Sequence, residues 1–473
     1  MKNKITGALL TLIFLFAANA CKDDEPPLPD NLIQFEASQQ GVPETEQEVT
    51  VKVKLSRATE AATTVVVDLK PTGITYGKEF TTVPEAANNS VSLPLPAGST
   101  EGSLKIVKAQ GVLLGGTETL ELTLKSATAP VLAGKMNQLS LKFAQIISTG
   151  SQMTINGLAG SEPGSSAANS VYVDFSNNSQ TAVLRSSWDL GFYCGSEFRV
   201  ILNNTTSASA KMLNKTDLKA VTAADTIPAA DWTVGAYNPK EMGLVDNVTG
   251  DLTKTIIAEI AADDATNKVY IINRGIGGGL KPRPWLKIRV LRNGATGYKL
   301  QYARIEDTTV REIDVTKDAS FNFVYAGFDG TVVKKVNAEP QKSQWDIKWG
   351  YQLIQTALSP TEMIPYGSSD FVAINNRGGV QAAEVLTSTV SYDAFGESHL
   401  AAVQFKSNFD VIGTAWRTAS ATSGASAVKS DRFYVIKDPS GNVYKLKFIR
   451  FHGDEGGTRG KPETEYKLVK KGV

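Results

Sequence analysis

The sequence predicts an all-β protein: an N-terminal β-sandwich followed by two related, mainly antiparallel β units. Three observations carry this. Apolar and polar residues alternate along many segments, as at Val49, Val51, Val53 and Leu55 with Thr50, Lys52 and Lys54 between them, the period of a half-buried strand. Turn residues such as Asn88-Asn89 and Gly115-Gly116 punctuate these runs. From about residue 151 onward, short landmarks recur in the same order, which is the mark of an internal duplication.

Composition bounds the function. The chain has 473 residues, 42% of them hydrophobic and 21% charged, enough apolar material to offset chain entropy and build a core. Its 49 basic and 48 acidic side chains nearly cancel, so the long-range field of a nucleic-acid binder is missing and no nucleic-acid partner is expected. With 2 His and 2 Cys, the chain cannot form a multi-histidine zinc site, a four-cysteine site or a disulfide scaffold, and no metal site is expected.

The N-terminus is an address. Lys2 and Lys4 precede the apolar run Ile5 to Phe16, too short for a membrane span, and the small residues Ala17, Ala18, Asn19 and Ala20 lead to Cys21. Residues 1–20 are therefore expected to be a secretory signal. The pattern resembles the bacterial lipobox, which implies lipid on Cys21. Residues 21–31, with Lys22-Asp23-Asp24-Glu25 and then Pro26, Pro27 and Pro29, form a stiff acidic tether. This stretch resembles the export signal that takes lipoproteins of Bacteroidota to the outer face of the outer membrane. With Cys21 lipidated, Cys194 is a free thiol, and its apolar neighbours Phe192 and Tyr193 suit a buried, unreactive one.

Residues 32–147 contain further alternating runs at Leu120, Leu122, Leu124 and at Leu139, Leu141, Phe143, the rhythm of a β-sandwich. Two related units follow, 151–320 and 321–473. Trp188-Asp189 returns as Trp345-Asp346, Ile201-Leu202-Asn203-Asn204 as Ala373-Ile374-Asn375-Asn376, Val269-Tyr270-Ile271-Ile272 as Phe433-Tyr434-Val435-Ile436, and Tyr298-Lys299-Leu300 as Tyr444-Lys445-Leu446. The segment Phe321 to Val333 is read as ending the first unit's sheet and opening the second's. Trp188 and Trp345 suit core anchors whose indole N–H needs a partner. Asp189 and Asp346 point to the opposite face and are expected to pin turns. One helix is expected, Leu252 to Ile260.

Catalytic motifs are missing. Gly275-Ile276-Gly277-Gly278-Gly279 is followed by Lys281-Pro282-Arg283-Pro284 where a dinucleotide site needs a helix. Gly460-Lys461 lacks the first glycine and the hydroxyl residue of a phosphate loop. No Gly-x-Ser-x-Gly elbow occurs, and the acidic pairs Asp263-Asp264 and Asp454-Glu455 suit solvated turns. An enzyme is not expected.

Residues 32–147 resemble a Calx-β module through Val51-Lys52-Val53-Lys54-Leu55-Ser56, Tyr76-Gly77-Lys78-Glu79-Phe80 and Glu118-Thr119-Leu120-Glu121-Leu122. That family binds calcium on an acidic loop; the equivalent here is Lys105-Ile106-Val107-Lys108-Ala109-Gln110, so calcium is not carried over. The duplicated region resembles the HmuY family, in two tandem copies, through Val171-Tyr172-Val173-Asp174-Phe175, the Trp-Asp-Leu-x-Phe strand, Arg199-Val200-Ile201-Leu202-Asn203 and the closing Tyr-Lys-Leu-x-Phe strand. Those are surface lipoproteins of Bacteroidota that capture haem between loops, the best-known type through two His ligands.

That resemblance implies capture of haem or a similar planar apolar ligand, with an outer-membrane transporter as partner. The ligand-bearing stretch of the first copy, about 205 to 268, holds no His. The candidate iron ligands are His399, His452, Met212, Met242 and Met363, although a packed or solvated side chain is the commoner role for each. The alternative is a non-enzymatic scaffold or glycan-facing accessory lipoprotein that keeps the fold without binding haem; the loop Thr418 to Ser426 with Trp416 nearby is where a glycan contact would lie.

Overall fold

A computed structural model describes residues 29–42, 46–109, 118–143, 147–330, 332–419 and 425–472. The expected signal, the Cys21 anchor, the Gly115-Gly116 turn and part of the Thr418 to Ser426 loop lie outside these residues. The protein is all-β, and it divides into two compact units, Met1–Ile146 and Ile147–Val473.

The first unit is a sandwich of two five-stranded sheets. Strand Glu48–Leu55 buries Val49, Val51 and Val53 while Thr50, Lys52 and Lys54 face solvent. Strands Thr63–Thr72, Ser90–Leu95 and Thr119–Ala127 alternate in the same way. Their inward residues meet Phe35, Phe80, Leu139 and Leu141 in one core, each full burial contributing about 1.5–3 kcal/mol. Tyr76 packs edge-on against Phe80 at 5.5 Å, and the Glu101–Lys108 segment is a strand inside a sheet rather than an acidic loop.

Among the described residues the second unit holds two four-stranded sheets, two five-stranded sheets and one two-stranded sheet, and its repeats are interleaved. Trp188-Asp189 opens strand Leu190–Tyr193, and Trp345-Asp346 opens strand Ile347–Ala357. Each of these strands is preceded in the chain by a similar hairpin. The first, Asn169–Asp174 with Ser179–Leu184, pairs with the Trp345 strand. The second, Phe323–Asp329 with Val332–Val336, pairs with the Trp188 strand. Each repeat thus gives its opening hairpin to the other's sheet. The division at 320/321 separates two stretches of sequence within one compact body.

The exchanged strands seat on matching contacts. Trp188 meets Tyr325 edge-on at 4.7 Å, and Trp345 meets Tyr172 edge-on at 5.0 Å. The Asp189 carboxylate accepts from the Phe328 amide at 2.9 Å, and that of Asp346 from the Phe175 amide at 2.8 Å. Asp189 therefore ties a neighbouring strand in place of the expected turn, while Asp346 pins the first residue of the turn that joins the neighbouring hairpin. Gly327 sits where the second hairpin crosses the Ser187 carbonyl, and a Cβ there would collide with that oxygen.

The Trp and Asn landmarks are equivalent; the Tyr298 and Tyr444 pair is not. In the five-stranded sheets, Tyr270 pairs with Ile288 and Tyr434 with Leu446, which makes strand Val443–Arg450 the counterpart of Leu286–Arg292 instead of Gly297–Arg304. Lys287 and Lys445 are the equivalent residues. Both are buried, and both ammonium groups donate to carbonyls, Val221 and Ile305 for Lys287, Tyr392 and Phe395 for Lys445. Tyr298 donates to the Tyr193 carbonyl at 2.7 Å, whereas the buried Tyr444 hydroxyl has no protein partner. The misreading has a physical cause: strands share a period of two, so one alternating run matches another wherever it is laid.

The expected helix Leu252 to Ile260 is a single 3₁₀ turn, Leu252–Lys254, capped by Asp251. Beyond it the backbone amides find distant partners. Ile256 donates to Asp246, Ala258 to the Tyr270 hydroxyl and Ile260 to the Phe198 carbonyl. These bonds satisfy the groups a helix would have used, and they leave Ile257 and Ile260 in the core.

Candidate functional site

The five iron-ligand candidates lie on five different elements. His399, in the 3₁₀ segment Glu397–Ala402, stacks on Phe395 at 5.4 Å, and its Nδ1 accepts from the Gly396 amide. His452 caps the turn Gly453–Glu455, its Nδ1 accepting from the Asp454 amide beside that residue's carboxylate at 3.2 Å. Met212 is exposed on strand Ser209–Leu213, and Met363 is exposed at the start of strand Met363–Ile374. Met242 is half-buried in the 3₁₀ segment Pro239–Leu244. Among the described residues no group of three or more His, Cys, Asp or Glu is placed to hold a metal ion. Cys194 is half-buried, and burial raises its thiol pKa, as its apolar neighbours suggest.

Two features of the second unit bear on ligand binding. The first is a pair of surface tyrosines that the sequence did not single out. Tyr237 and Tyr366 stack with centroids 6.1 Å apart and planes at 30°, yet remain 55% and 42% exposed. Tyr237 adopts φ 58°, a left-handed conformation that a bulky residue avoids. The strain is offset by Glu241, which is buried and whose carboxylate accepts from the amides of Gly235, Ala236 and Asn238 at 2.9, 2.9 and 3.3 Å. Asn238 caps the following segment and Pro239 starts it, while Val234, Val245, Val248 and Leu353 fasten the loop from beneath. Strain held in this way, at an exposed aromatic, is a feature of ligand sites.

The second is a cavity at the seam of the two repeats, offering about 110 Å³ to the centres of water-sized molecules. Trp188, Trp345, Tyr172 and Tyr325 form its aromatic wall, with Glu339, Lys348, Asp246 and Arg377 among its polar groups. Burial pushes Glu339 up to about 7 and Asp246 up to about 6, and it lowers Lys348 to about 8. At roughly one water per 10–15 Å³ of such space, it holds a small molecule and excludes a tetrapyrrole. None of the five candidate ligands lines it.

The two repeats differ in charge at matching places. Arg274 makes a two-point ion pair with Asp189 at 2.8 and 2.9 Å, reinforced by Arg283 at 3.3 Å. By strand register, Asp438 takes the position of Arg274 in the other repeat. Asp346 therefore has carboxylates for neighbours, and burial together with Asp174 and Asp438 drives its pKa well above the usual carboxylate range.

The N-terminal unit is similar to the apo Calx CBD1 domain, at 16% identity and TM-score 0.21, covering 24% of this chain and 97% of that one. A two-domain protein of unknown function from Bacteroides fragilis NCTC 9343 is 11% identical with TM-score 0.18, covering 65% of this chain and 93% of that one. No curated protein matches the chain. No helix among the described residues is long and apolar enough to cross a membrane. The family model of the HmuY protein matches residues 166–466, a stretch that holds both repeats, the seam between them and the tyrosine pair. The chain belongs to the HmuY family.

Proposed function

We propose that this protein is a non-enzymatic capture lipoprotein, anchored through Cys21 to the outer face of the outer membrane, that takes haem or a similar planar apolar ligand on the Tyr237–Tyr366 platform and passes it to a transporter. Family membership supports the ligand class. The observation that carries the site is the exposed, stacked tyrosine pair held in strain by Glu241. Stacking and apolar contact supply the affinity, each aromatic contact contributing about 0.5–1.5 kcal/mol beyond its buried area.

His399 and His452 sit on separate elements, and in each the Nδ1 accepts from a local backbone amide, which places the proton of the neutral ring on Nε2, the nitrogen an iron would need. The residues fit the face of a macrocycle better than they fit its iron. Met363, three residues before Tyr366, and Met242, five residues beyond Tyr237, are the thioethers that flank the platform in sequence.

Titration with haem and with iron-free protoporphyrin tests this. Both are expected to bind, with similar affinity, and Tyr237→Ala or Tyr366→Ala is expected to weaken both about tenfold, while His399→Ala and His452→Ala change neither. Failure of both tetrapyrroles to bind overturns the reading; binding of a neutral oligosaccharide at the platform instead moves it to the glycan-facing alternative.

A further inference from the structure

The seam cavity contains polar groups that the protein leaves without partners. Trp345 is 7% exposed and its indole N–H has no acceptor; Ser170 is 4% exposed and its hydroxyl has no partner. Lys348 gives one hydrogen bond, to Gln352 at 3.2 Å, although an ammonium has three donors. All three side chains line the cavity. Folding removes such groups from water only at a cost, so several of them around one cavity mark a place where something else completes the bonding.

The cavity also has a way in. A second, more open hollow of about 370 Å³ shares Gly250, Asp251, Leu252, Asn376, Arg377 and Phe409 with it. Arg377 stands at this neck, its guanidinium donating to the Gly250 carbonyl and lying 5.9 Å from the rings of Tyr193 and Phe323. The cavity and the open hollow therefore adjoin at Arg377, the side from which a small solute would enter.

The lining selects the ligand's chemistry. Donors (Trp345, Ser170, Lys348, Arg377) face acceptors (Asp246, Glu339) across an aromatic wall. The carboxylates Asp246, Asp251 and Glu339 stand in the same lining as the cations Lys348 and Arg377, and burial raises Asp246 and Glu339 toward their neutral forms, so neither sign of charge dominates to hold an ion. We infer that the seam cavity is a second binding site, taking an uncharged polyhydroxylated molecule of monosaccharide size whose hydroxyls both donate and accept. The site uses none of the residues of the tyrosine platform.

Calorimetric titration of the full chain with glucose, mannose, galactose, N-acetylglucosamine and myo-inositol, beside glucuronate and glycine as charged controls, tests the assignment. At least one neutral compound is expected to bind saturably, one per chain, and more tightly than either control. Ser170→Ala removes only an unpartnered hydroxyl and is expected to leave the melting temperature of the ligand-free protein level or higher. Trp345→Phe also gives up indole packing on Tyr172 and is expected to lower that temperature while the protein stays folded, and each variant is expected to weaken the sugar about tenfold. Tyr237→Ala is expected to leave sugar binding unchanged, which separates this site from the platform. No binding by any neutral compound, tighter binding of a charged control, or affinity unaltered in the Ser170→Ala/Trp345→Phe double variant overturns the inference.

Discussion

Asn203 and Asn375 hold the two repeats in the same way: each side-chain amide donates to the carbonyl of the tryptophan that opens its strand, Trp188 at 2.7 Å and Trp345 at 2.9 Å. Each side-chain oxygen also caps the turn that follows, accepting from Thr205 and Gly378. Each turn ends on a left-handed residue, Ser207 and Gly379. Asn203→Ala strands the buried carbonyls of Arg185 and Trp188, Asn375→Ala strands that of Trp345 and frees that of the exposed Lys342, and each removes a cap, a loss of about 2–4 kcal/mol. All six tryptophans lie in the second unit, so urea unfolding followed by tryptophan fluorescence reads this directly, and the two variants are expected to lose similar amounts.

The aspartates should behave differently from the asparagines. Asp189 forms a two-point ion pair with Arg274 inside the protein, and Asp189→Asn leaves that guanidinium buried without its carboxylate partner, costing about 3–5 kcal/mol. Asp346 sits among carboxylates, and burial together with Asp174 raises its pKa well above the usual carboxylate range, so Asp346→Asn removes a charge that the site disfavours and costs about 1 kcal/mol or less. The same unfolding measurement checks both. Equal losses would contradict the charge assignment.

Stability should fall as pH rises through neutrality. Asp246 and Glu339 have folded pKa values raised to about 6 and about 7 from 3.8 and 4.5. Their contribution is complete below about pH 4 and is lost as pH climbs through those values, at roughly 1.4 kcal/mol for each tenfold gain in proton affinity on folding, an upper limit where cavity water screens the groups. Lys348 runs the other way: its pKa is depressed to about 8, so its contribution is lost as pH falls from about 10 to 8 and does not alter the change below 7. Fluorescence-detected urea unfolding is expected to show the second unit less stable at pH 8 than at pH 5 by about 2–4 kcal/mol. A flat or rising profile would contradict the assignment.

Glu241 is predicted to act on the platform without touching the ligand. Glu241→Ala frees three amides and lets Tyr237 leave its strained conformation. Tetrapyrrole affinity should drop about tenfold, with about 1–3 kcal/mol of stability lost. Glu241→Gln, which keeps one acceptor oxygen, should fall between this variant and the parent.

Much of this architecture was legible because it is local. Alternation at Val49 to Leu55 gives a strand, and the Trp188 and Trp345 landmarks mark equivalent strand starts. Pairing partners are not local, so nothing in the hairpin Phe323–Asp329 says that it joins the strand of Trp188 rather than that of Trp345. The expected helix at 252–260 failed for the same reason, its amides being claimed by Asp246, Tyr270 and Phe198. Tyr237 had a readable signal in Gly235-Ala236-Tyr237-Asn238-Pro239, a turn with Glu241 beyond it. The seam cavity had none, because its lining comes from residues between Ser170 and Phe409 that only the fold collects.

The exchange of hairpins makes each repeat incomplete alone. Producing 147–320 and 321–473 as separate chains, then together, measures this by near-ultraviolet circular dichroism and cooperative unfolding. Neither fragment is expected to show a native tryptophan environment or a cooperative transition, and mixing the two should restore both. A stable, cooperatively folded 147–320 fragment would contradict the interleaved arrangement and the seam built upon it.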